Sequence, residues 1–430
     1  MTRKTAAERA SAEWRGCLAE FESDEHWIRW RENISLRTLL HRLHAALQST
    51  PENVLQEFDN FEERALANQA RLLMSDLAAG QGFVSAETDG DALFRAAVVL
   101  RAVDELLLEG AENIIDEAPE AWLTADGEAY VVPVPRSVMA EGGPRTRQSF
   151  SRRGLLHHRV VPTRIGDVDV VIEPHPDLTA GANRERTFGA ALFLGFQLTY
   201  QKIGAKHFVV TEVDCADGIQ VVVDRHCSSA RASNCDTLIW PELTMNPNRV
   251  EQVQVQLSNA PLLSALPPIV VVGSWHVPVK KRHQNLAVVL DGRGELLFTF
   301  GKSRRFTFNG LSENIDVYGK VHIVATDYEL IAFAICKDFC DKARAVPITS
   351  LDVDLVLVPS MGQPNTMTAH RDAADDMKVL FGTRSAVVQQ SYPVNGKDPP
   401  GYVLRVPKEP RAAELSALEE RQEFTTFQRE

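Results

Sequence analysis

The chain has 430 residues, of which 44% are hydrophobic and 24% are charged, and its formal net charge is −12. Such a composition is ordinary for a soluble globular protein with two or three domains. The acidic balance argues against nucleic acid as a partner. The N-terminus has no apolar signal-like region, and no apolar stretch is long enough to span a bilayer. We therefore expect a cytoplasmic protein whose six cysteines are reduced thiols.

Residues 1–139 are predicted to form a helical N-terminal region. Leu36, Leu39, Leu40, Leu43 and Leu47 recur at helical spacing. Charged side chains are frequent between such apolar positions and are best explained as solvated faces of helices. Nothing in this region indicates catalysis, so its predicted role is to bind a protein partner or to control the rest of the chain.

Residues 140–205 are predicted to be a linker and a connecting segment. The stretch from Ala140 to Gly154 combines Gly, Pro, Ser and Arg, which is typical of a loop. The pattern over 157–176 indicates two short strands. The apolar run over 184–200 indicates a helix or a buried segment.

Strand-like and helical patterns alternate from residue 206 to about residue 405, which predicts an α/β domain. The charged residues 406–430 are predicted to form a separate, helical tail.

Three stretches of the α/β region place a reactive side chain just after a predicted strand. They are IWPE with Glu242, GELLFTFGK with Lys302, and AICKD with Cys336. Taken alone, Cys336 reads as a small buried hydrophobe. Taken together, the three side chains provide a base for a thiol, a cation for an oxyanion and a nucleophile, which acyl transfer requires.

The order and spacing of these stretches resemble the motifs of the nitrilase, or carbon–nitrogen hydrolase, superfamily, over about residues 206–393. The resemblance implies a four-layer α-β-β-α sandwich with a catalytic Glu–Lys–Cys triad. It implies hydrolysis of a small amide, in preference to a nitrile, through a thioester, with no cofactor. We also expect a homo-oligomer. The chain has no apolar run that could span a membrane, which sets aside the membrane-embedded acyltransferase branch of the family.

Further residues are assigned on the same resemblance. Glu313 is the candidate for the second glutamate of the family, although a solvated loop carboxylate is an equal alternative. Lys337 and Asp338, which follow the nucleophile, are candidate substrate-binding residues. Cys340 has no further ligands at zinc-binding spacing, so no metal site is predicted.

A second hypothesis is a catalytically degenerate scaffold whose helical region binds a partner. The charge of Lys337, where the family has a Tyr or small polar residue, and an apparently shortened segment after Val394 favour it.

Overall fold

The computed structural model describes residues 6–21, 36–58, 60–79, 87–109, 119–133, 155–175, 178, 186–260, 267–326, 329–341, 346–392, 399–404, 417–420 and 422–428. The chain forms two compact units. The first comprises Met1–Arg164 and Asp327–Glu329, and the second comprises Ile165–Thr326 and Leu330–Glu430.

The first unit is mainly helical, as its apolar spacing predicts. Its helices are α1 (Ala6–Ala19), α2 (Leu36–Gln48), α3 (Glu52–Phe58), α4 (Glu63–Ala79) and α5 (Asp89–Glu109), followed by a 3-10 turn at Pro119–Trp122. Leu39, Leu40, Leu43 and Leu47 of α2 are buried in one core with Leu93, Leu100 and other side chains of α5. Leu36, at the start of α2, is exposed. The strands β1 (Ala129–Pro133) and β2 (His158–Pro162) pair antiparallel beside this core. The described part of this unit thus consists of five helices, a 3-10 turn and a strand pair.

The second unit is built from three sheets, and it is a mixed α/β structure as predicted. A six-stranded sheet has the order β11-β10-β9-β8-β5-β20, an eight-stranded sheet has the order β19-β18-β17-β16-β15-β14-β4-β3, and a four-stranded sheet has the order β12-β13-β7-β6. The strands are β3 (Arg164–Ile165), β4 (Val168–Pro174), β5 (Thr187–Ala191), β6 (Gln197–Ile203), β7 (His207–Asp214), β8 (Thr237–Ile239), β9 (Ile269–Val279), β10 (Arg282–Leu290), β11 (Leu296–Gly301), β12 (Thr307–Phe308), β13 (Leu311–Glu313), β14 (Lys320–Ala325), β15 (Leu330–Phe333), β16 (Leu355–Gly362), β17 (Arg384–Ser391), β18 (Gly401–Leu404), β19 (Ala417–Glu420) and β20 (Phe424–Gln428). The helices are α6 (Ile219–Ala232), α7 (Pro247–Ser258), α8 (Lys337–Cys340), α9 (Val346–Thr349) and α10 (Pro364–Phe381).

The side chains on the two faces of strand β9 belong to two different hydrophobic cores. Val271 belongs to a buried cluster that also contains Ile331 and Leu357 of the eight-stranded sheet. Its neighbours Val270 and Val272 belong to a different cluster, which contains side chains of α6 and α7. Because successive side chains of a strand point to opposite faces, one run of valines serves both cores. Helix α10 packs on the eight-stranded sheet, against β17 and β18.

The segment 140–205 contributes strands to the second unit, so the boundary predicted at residue 206 differs from the observed start at Ile165. Strand β4 pairs parallel with β14, and β5 pairs parallel with β8. Of the two alternatives for 184–200, a helix and a buried segment, the helix is wrong, because the described residues include β5 and the start of β6. All five residues of β5 are buried, and a short apolar run of this kind has no periodicity that separates a strand from a helix.

The predicted helical tail is also wrong where the structure describes it. Residues Phe424–Gln428 form β20, which pairs antiparallel with β5. Phe427 is buried and stacks on Phe188, with ring centroids 5.2 Å apart. The second unit therefore extends past the predicted end of the domain at residue 405. Within the described part of the chain, no helix has the length and apolarity that a bilayer span requires.

Candidate active site

The predicted reactive side chains lie just beyond or at the ends of strands. Glu242 follows β8, Lys302 follows β11, Cys336 follows β15, and Glu313 is the last residue of β13. The structure brings the two glutamates onto one ammonium group. Lys302 Nζ lies 2.6 Å from Glu242 Oε1 and 2.8 Å from Glu313 Oε2. Of the two alternatives for Glu313, the structure supports a buried partner of Lys302 and excludes a solvated loop carboxylate.

The three charged groups are almost completely shielded from water. Exposed fractions are 2% for Glu242, 1% for Lys302 and 0% for Glu313. Burial alone would lower the pKa of Lys302, but the negative charges of Glu242, Glu313 and Cys336 outweigh it and raise this pKa well above its ordinary value. Burial likewise works to raise the pKa of Glu313, yet Lys302 and His276 bring it below its ordinary value. The cluster therefore holds a lysine cation and a glutamate anion at neutral pH.

Two further polar residues hold the carboxylates in place, and sequence reasoning missed both. Asn285 Nδ2 lies 2.9 Å from Glu242 Oε1 and 3.3 Å from Glu313 Oε1. His276 Nδ1 accepts a hydrogen bond from the Val210 N–H, so its Nε2 carries the proton that it shares with Glu313 Oε1 at 3.2 Å. Both residues are fully buried, and each is a polar residue within an apolar strand, His276 in β9 and Asn285 in β10. A polar residue at such a position in the sequence is the signal that could have identified them.

The backbone of Cys336 is strained. Its φ is 45° and its ψ is −105°, outside the regions that a residue with a side chain normally adopts. The conformation is held from both sides, since the Cys336 N–H donates to Pro359 O and the Phe339 and Cys340 N–H groups donate to Cys336 O. Such strain persists where the surrounding structure fixes it, and it is typical of functional positions.

The thiol of Cys336 is 1% exposed and lies 3.6 Å from Met361 O. A hydrogen bond with Cys340, together with burial, raises the pKa of Cys336 well above its ordinary value, against the opposing effects of Lys302 and a hydrogen bond with Ser360. Burial also raises the pKa of Glu242, with the nearby charge of Cys336 adding to it and Lys302 opposing it. A carboxylate with a raised pKa is a stronger base than one in water.

Cys336, Lys337 and Asp338 are not among the residues that line the cavity beside Lys302, although Met361, whose carbonyl oxygen contacts the Cys336 thiol, is. Substrate contacts of Lys337 and Asp338 stay a prediction. Asp338 is half-buried at the start of α8 and accepts the N–H of Ser303 at 2.8 Å and that of Arg304 at 2.7 Å. Burial raises its pKa to about 7, against these two hydrogen bonds. Asp338 thereby fixes the backbone directly after Lys302.

A cavity of about 500 Å³ opens beside the charged cluster, and Glu242, Lys302 and Glu313 form its polar end. Its remaining lining, here called the apolar wall, comes from strands β6 and β7 and from the segments after Glu242, Lys302 and Gly362. The aromatic members of the apolar wall are Tyr200, Phe208, Phe306, Phe308 and Tyr392. Its aliphatic members are Leu198, Val210, Leu243, Leu311 and Met361. This volume includes the part of the cavity that is open to solvent.

Candidate metal ligands lie elsewhere. Among the residues that the structure describes, the one group whose ligand atoms approach closely is His41, Asp126 and Glu128 in the first unit. Asp126 and Glu128 are exposed there, and Asp126 already bonds Thr124 and Arg42. In the described part of the chain, Cys336 and Cys340 do not belong to such a group.

Neither the comparison with protein-family models nor that with curated proteins finds a match to this chain. Solved structures that are similar include a glutamine-dependent NAD+ synthetase from Acinetobacter baumannii, 15% identical, with 56% of this chain and 45% of that chain covered and a TM-score of 0.40. They also include an amidase from Nesterenkonia sp., 14% identical, with 56% and 89% covered and a TM-score of 0.41. The chain thus spans less than half of the synthetase.

The amidase is a member of the nitrilase superfamily. The present chain resembles that superfamily in its Pro-Glu, Gly-Lys and Cys-x-Asp motifs, which lie just beyond the ends of β8, β11 and β15.

Proposed function

We propose that the second unit is a cysteine-dependent hydrolase of non-peptide carbon–nitrogen bonds, of the amidase type. The observation that carries the proposal is the contact of Lys302 with two buried carboxylates at the end of a cavity, next to a strained Cys336. We further propose that its six- and eight-stranded sheets, with α6 and α7 on one side and α10 on the other, form a four-layer α-β-β-α sandwich.

In the proposed reaction, Glu242 accepts the proton of the Cys336 thiol while sulfur attacks the carbonyl carbon of the amide. The oxyanion that forms is stabilised by the Lys302 ammonium and by the N–H of Lys337, the first residue of α8. Glu242 returns the proton to the leaving nitrogen, and ammonia or an amine departs. The same carboxylate then activates water, which releases the carboxylic acid from the thioester.

Glu313, His276 and Asn285 have supporting roles in this scheme. Glu313 keeps Lys302 charged and oriented, because it accepts both the lysine N–H and the Phe306 N–H. His276 and Asn285 donate to Glu313 Oε1, the oxygen that Lys302 does not contact. Asn285 also donates to Glu242 Oε1, which it shares with Lys302. These residues position the groups that touch substrate, so their substitution should change the pH profile of turnover as well as its rate.

A non-catalytic scaffold is the second candidate function, and the 1% exposure of Cys336 is the observation that favours it. Thiol reactivity separates the two candidates. A working Cys336 should react with a small alkylating amide near neutral pH faster than the exposed Cys17, because Glu242 assists its deprotonation. Slower reaction of Cys336 than of Cys17 would favour the scaffold.

The decisive experiment combines turnover with capture of the thioester. Cys336→Ala, Glu242→Gln and Lys302→Met should each reduce ammonia release from a panel of primary amides by on the order of a thousandfold or more. Cys17→Ala is the matched control and should keep full activity. In Glu242→Gln, deacylation is expected to be the slower half, so intact-protein mass spectrometry should find an acyl adduct on Cys336. Wild-type turnover by Cys336→Ala would refute the mechanism.

A further inference from the structure

The charged groups of the cavity lie in contact with one another, and the other polar side-chain groups among its lining residues are the hydroxyls of Tyr200 and Tyr392. Among the lining residues, Glu242, Lys302 and Glu313 are the charged ones, and Lys302 is bonded to both carboxylates. Each charge is therefore already compensated within the cluster. A carboxylate or an ammonium group on the far part of a bound molecule would find no opposite charge among the residues that line this cavity.

The rest of the cavity is apolar and rich in rings. Tyr200 packs edge-to-face on Phe208, with centroids 5.7 Å apart, and Phe308 lies 6.0 Å from Tyr392. Phe306 lies closest to the charged end, with Lys302 Nζ 5.9 Å from its ring centroid. Rings of this kind offer both faces and edges to an aromatic guest, and such pairs add to the benefit of removing apolar area from water.

The structure assigns a substrate class to this site: a primary amide whose acyl group is uncharged, apolar and bulky, with an aryl or arylalkyl group preferred. This inference rests on the proposed function, in which the amide carbonyl meets Cys336 and Lys302. The acyl group then extends along the apolar wall. A small acyl group leaves that wall in contact with water, whereas a charged one loses hydration and finds no uncompensated opposite charge among the lining residues. The balanced reaction takes the amide and one water to the carboxylic acid and ammonia.

The first test compares kcat/KM for phenylacetamide, acetamide and succinamate with the full-length wild-type protein. Each buried methylene equivalent contributes roughly a factor of four, so phenylacetamide should exceed acetamide by on the order of a hundredfold or more. Succinamate should be the poorest of the three. Acetamide equal to or better than phenylacetamide, or succinamate as the best substrate, would overturn the assignment.

A charge placed in the wall should reverse the preference. Leu198 lines the cavity, whereas Leu194, four residues earlier, is 39% exposed and does not. Leu198→Arg should lower kcat/KM for phenylacetamide at least tenfold and raise the ratio of succinamate to phenylacetamide. Leu194→Arg is the matched control and should leave both values unchanged. An unaltered preference in Leu198→Arg would show that the acyl group lies elsewhere.

A binding measurement separates failure of this inference from failure of the proposed function. In the Cys336→Ala variant, saturation-transfer NMR should detect phenylacetamide and not succinamate, and Leu198→Arg in that background should abolish the phenylacetamide signal. If no amide is hydrolysed by the wild type but this pattern holds, the proposed function fails and the apolar site stands. If turnover occurs while phenylacetamide shows no preference in either assay, the assignment of the substrate class fails alone.

Discussion

Replacing Lys302 by Met should destabilise the second unit strongly. The native lysine compensates two carboxylates that are at most 2% exposed. Its removal leaves Glu242 and Glu313 facing the same space with no cation between them. Removing one partner of a buried ion pair costs about 3–5 kcal/mol, because the remaining charge is neither paired nor hydrated. Methionine keeps most of the side-chain volume, so little of this cost comes from a cavity.

The stability lost in Lys302→Met should be larger at high pH than at low pH. In the wild type, the pKa of Glu313 lies below its unfolded value, so its stabilisation is present at neutral pH and is lost as pH falls through the folded pKa. In Lys302→Met, the buried carboxylates should have folded-state pKa values above their unfolded ones. The variant is then most stable at low pH and loses stability as pH rises. The difference between the two proteins should therefore be larger at pH 8 than at pH 5.

Urea unfolding followed by hydrogen-exchange mass spectrometry can measure this difference locally. Peptides from β11 and β13 report on the second unit alone. The double variant Lys302→Met/Glu313→Gln removes one of the two uncompensated charges and should recover a part of the loss. Lys206→Met is the surface control, and its effect should stay within about 0.5 kcal/mol. A loss below about 1 kcal/mol in Lys302→Met, or one equal at both pH values, would refute the reasoning.

Three other changes test the support of the site. Asp338→Ala removes the acceptor of two backbone N–H groups, so it should lower the free energy of unfolding in urea by about 1–3 kcal/mol and reduce turnover. Unchanged turnover would show that Lys302 is positioned without Asp338. Gly301→Ala would place a Cβ 2.5 Å from the Tyr318 ring, so the free energy of unfolding in urea should fall by about 1–3 kcal/mol. Adding Tyr318→Leu to this variant should restore part of the lost stability. Ser360→Ala removes a hydrogen bond that lowers the pKa of Cys336, so the pH profile of Cys336 alkylation should move to higher pH. An unchanged profile would show that Ser360 does not affect the pKa of the thiol.

The positions of Glu242, Lys302 and Cys336 could be predicted from the sequence because each follows a short apolar run. A strand of this kind ends where its run ends, so the next side chain is placed by a rigid sheet. Glu313 could not be assigned in the same way, since eleven residues separate it from Lys302. The intervening hairpin explains the contact: Phe308 pairs with Leu311, and Asn309 and Gly310 both adopt positive φ. Asn-Gly between two short strands is itself a hairpin signal.

The run His207 to Val213 predicts β7, but strand β6 and the pairing of β6 with β7 could not be derived from local pattern. They pair with one another in a small sheet, and β6 alternates weakly between exposed and half-buried residues. The partner of β7 on its other side is β13, about one hundred residues later in the chain, where Phe208 pairs with Glu313. A pairing of this range is set by tertiary packing, and no local propensity predicts it. The same pairing joins the apolar wall to the charged end of the cavity.

Burial and reactivity are compatible in this cluster because of how charge moves in the proposed reaction. Transfer of the proton from Cys336 to Glu242 exchanges one anion for another, both interacting with Lys302, so the net buried charge stays the same. The hydrogen bond with Cys340 and burial raise the pKa of the thiol, and burial raises that of the carboxylate, so the contribution of burial is common to both. The difference between the two pKa values decides the cost of the transfer, and a shift common to both leaves that difference unchanged. Glu313 keeps its negative charge throughout, which holds the lysine cation ready for the oxyanion that follows.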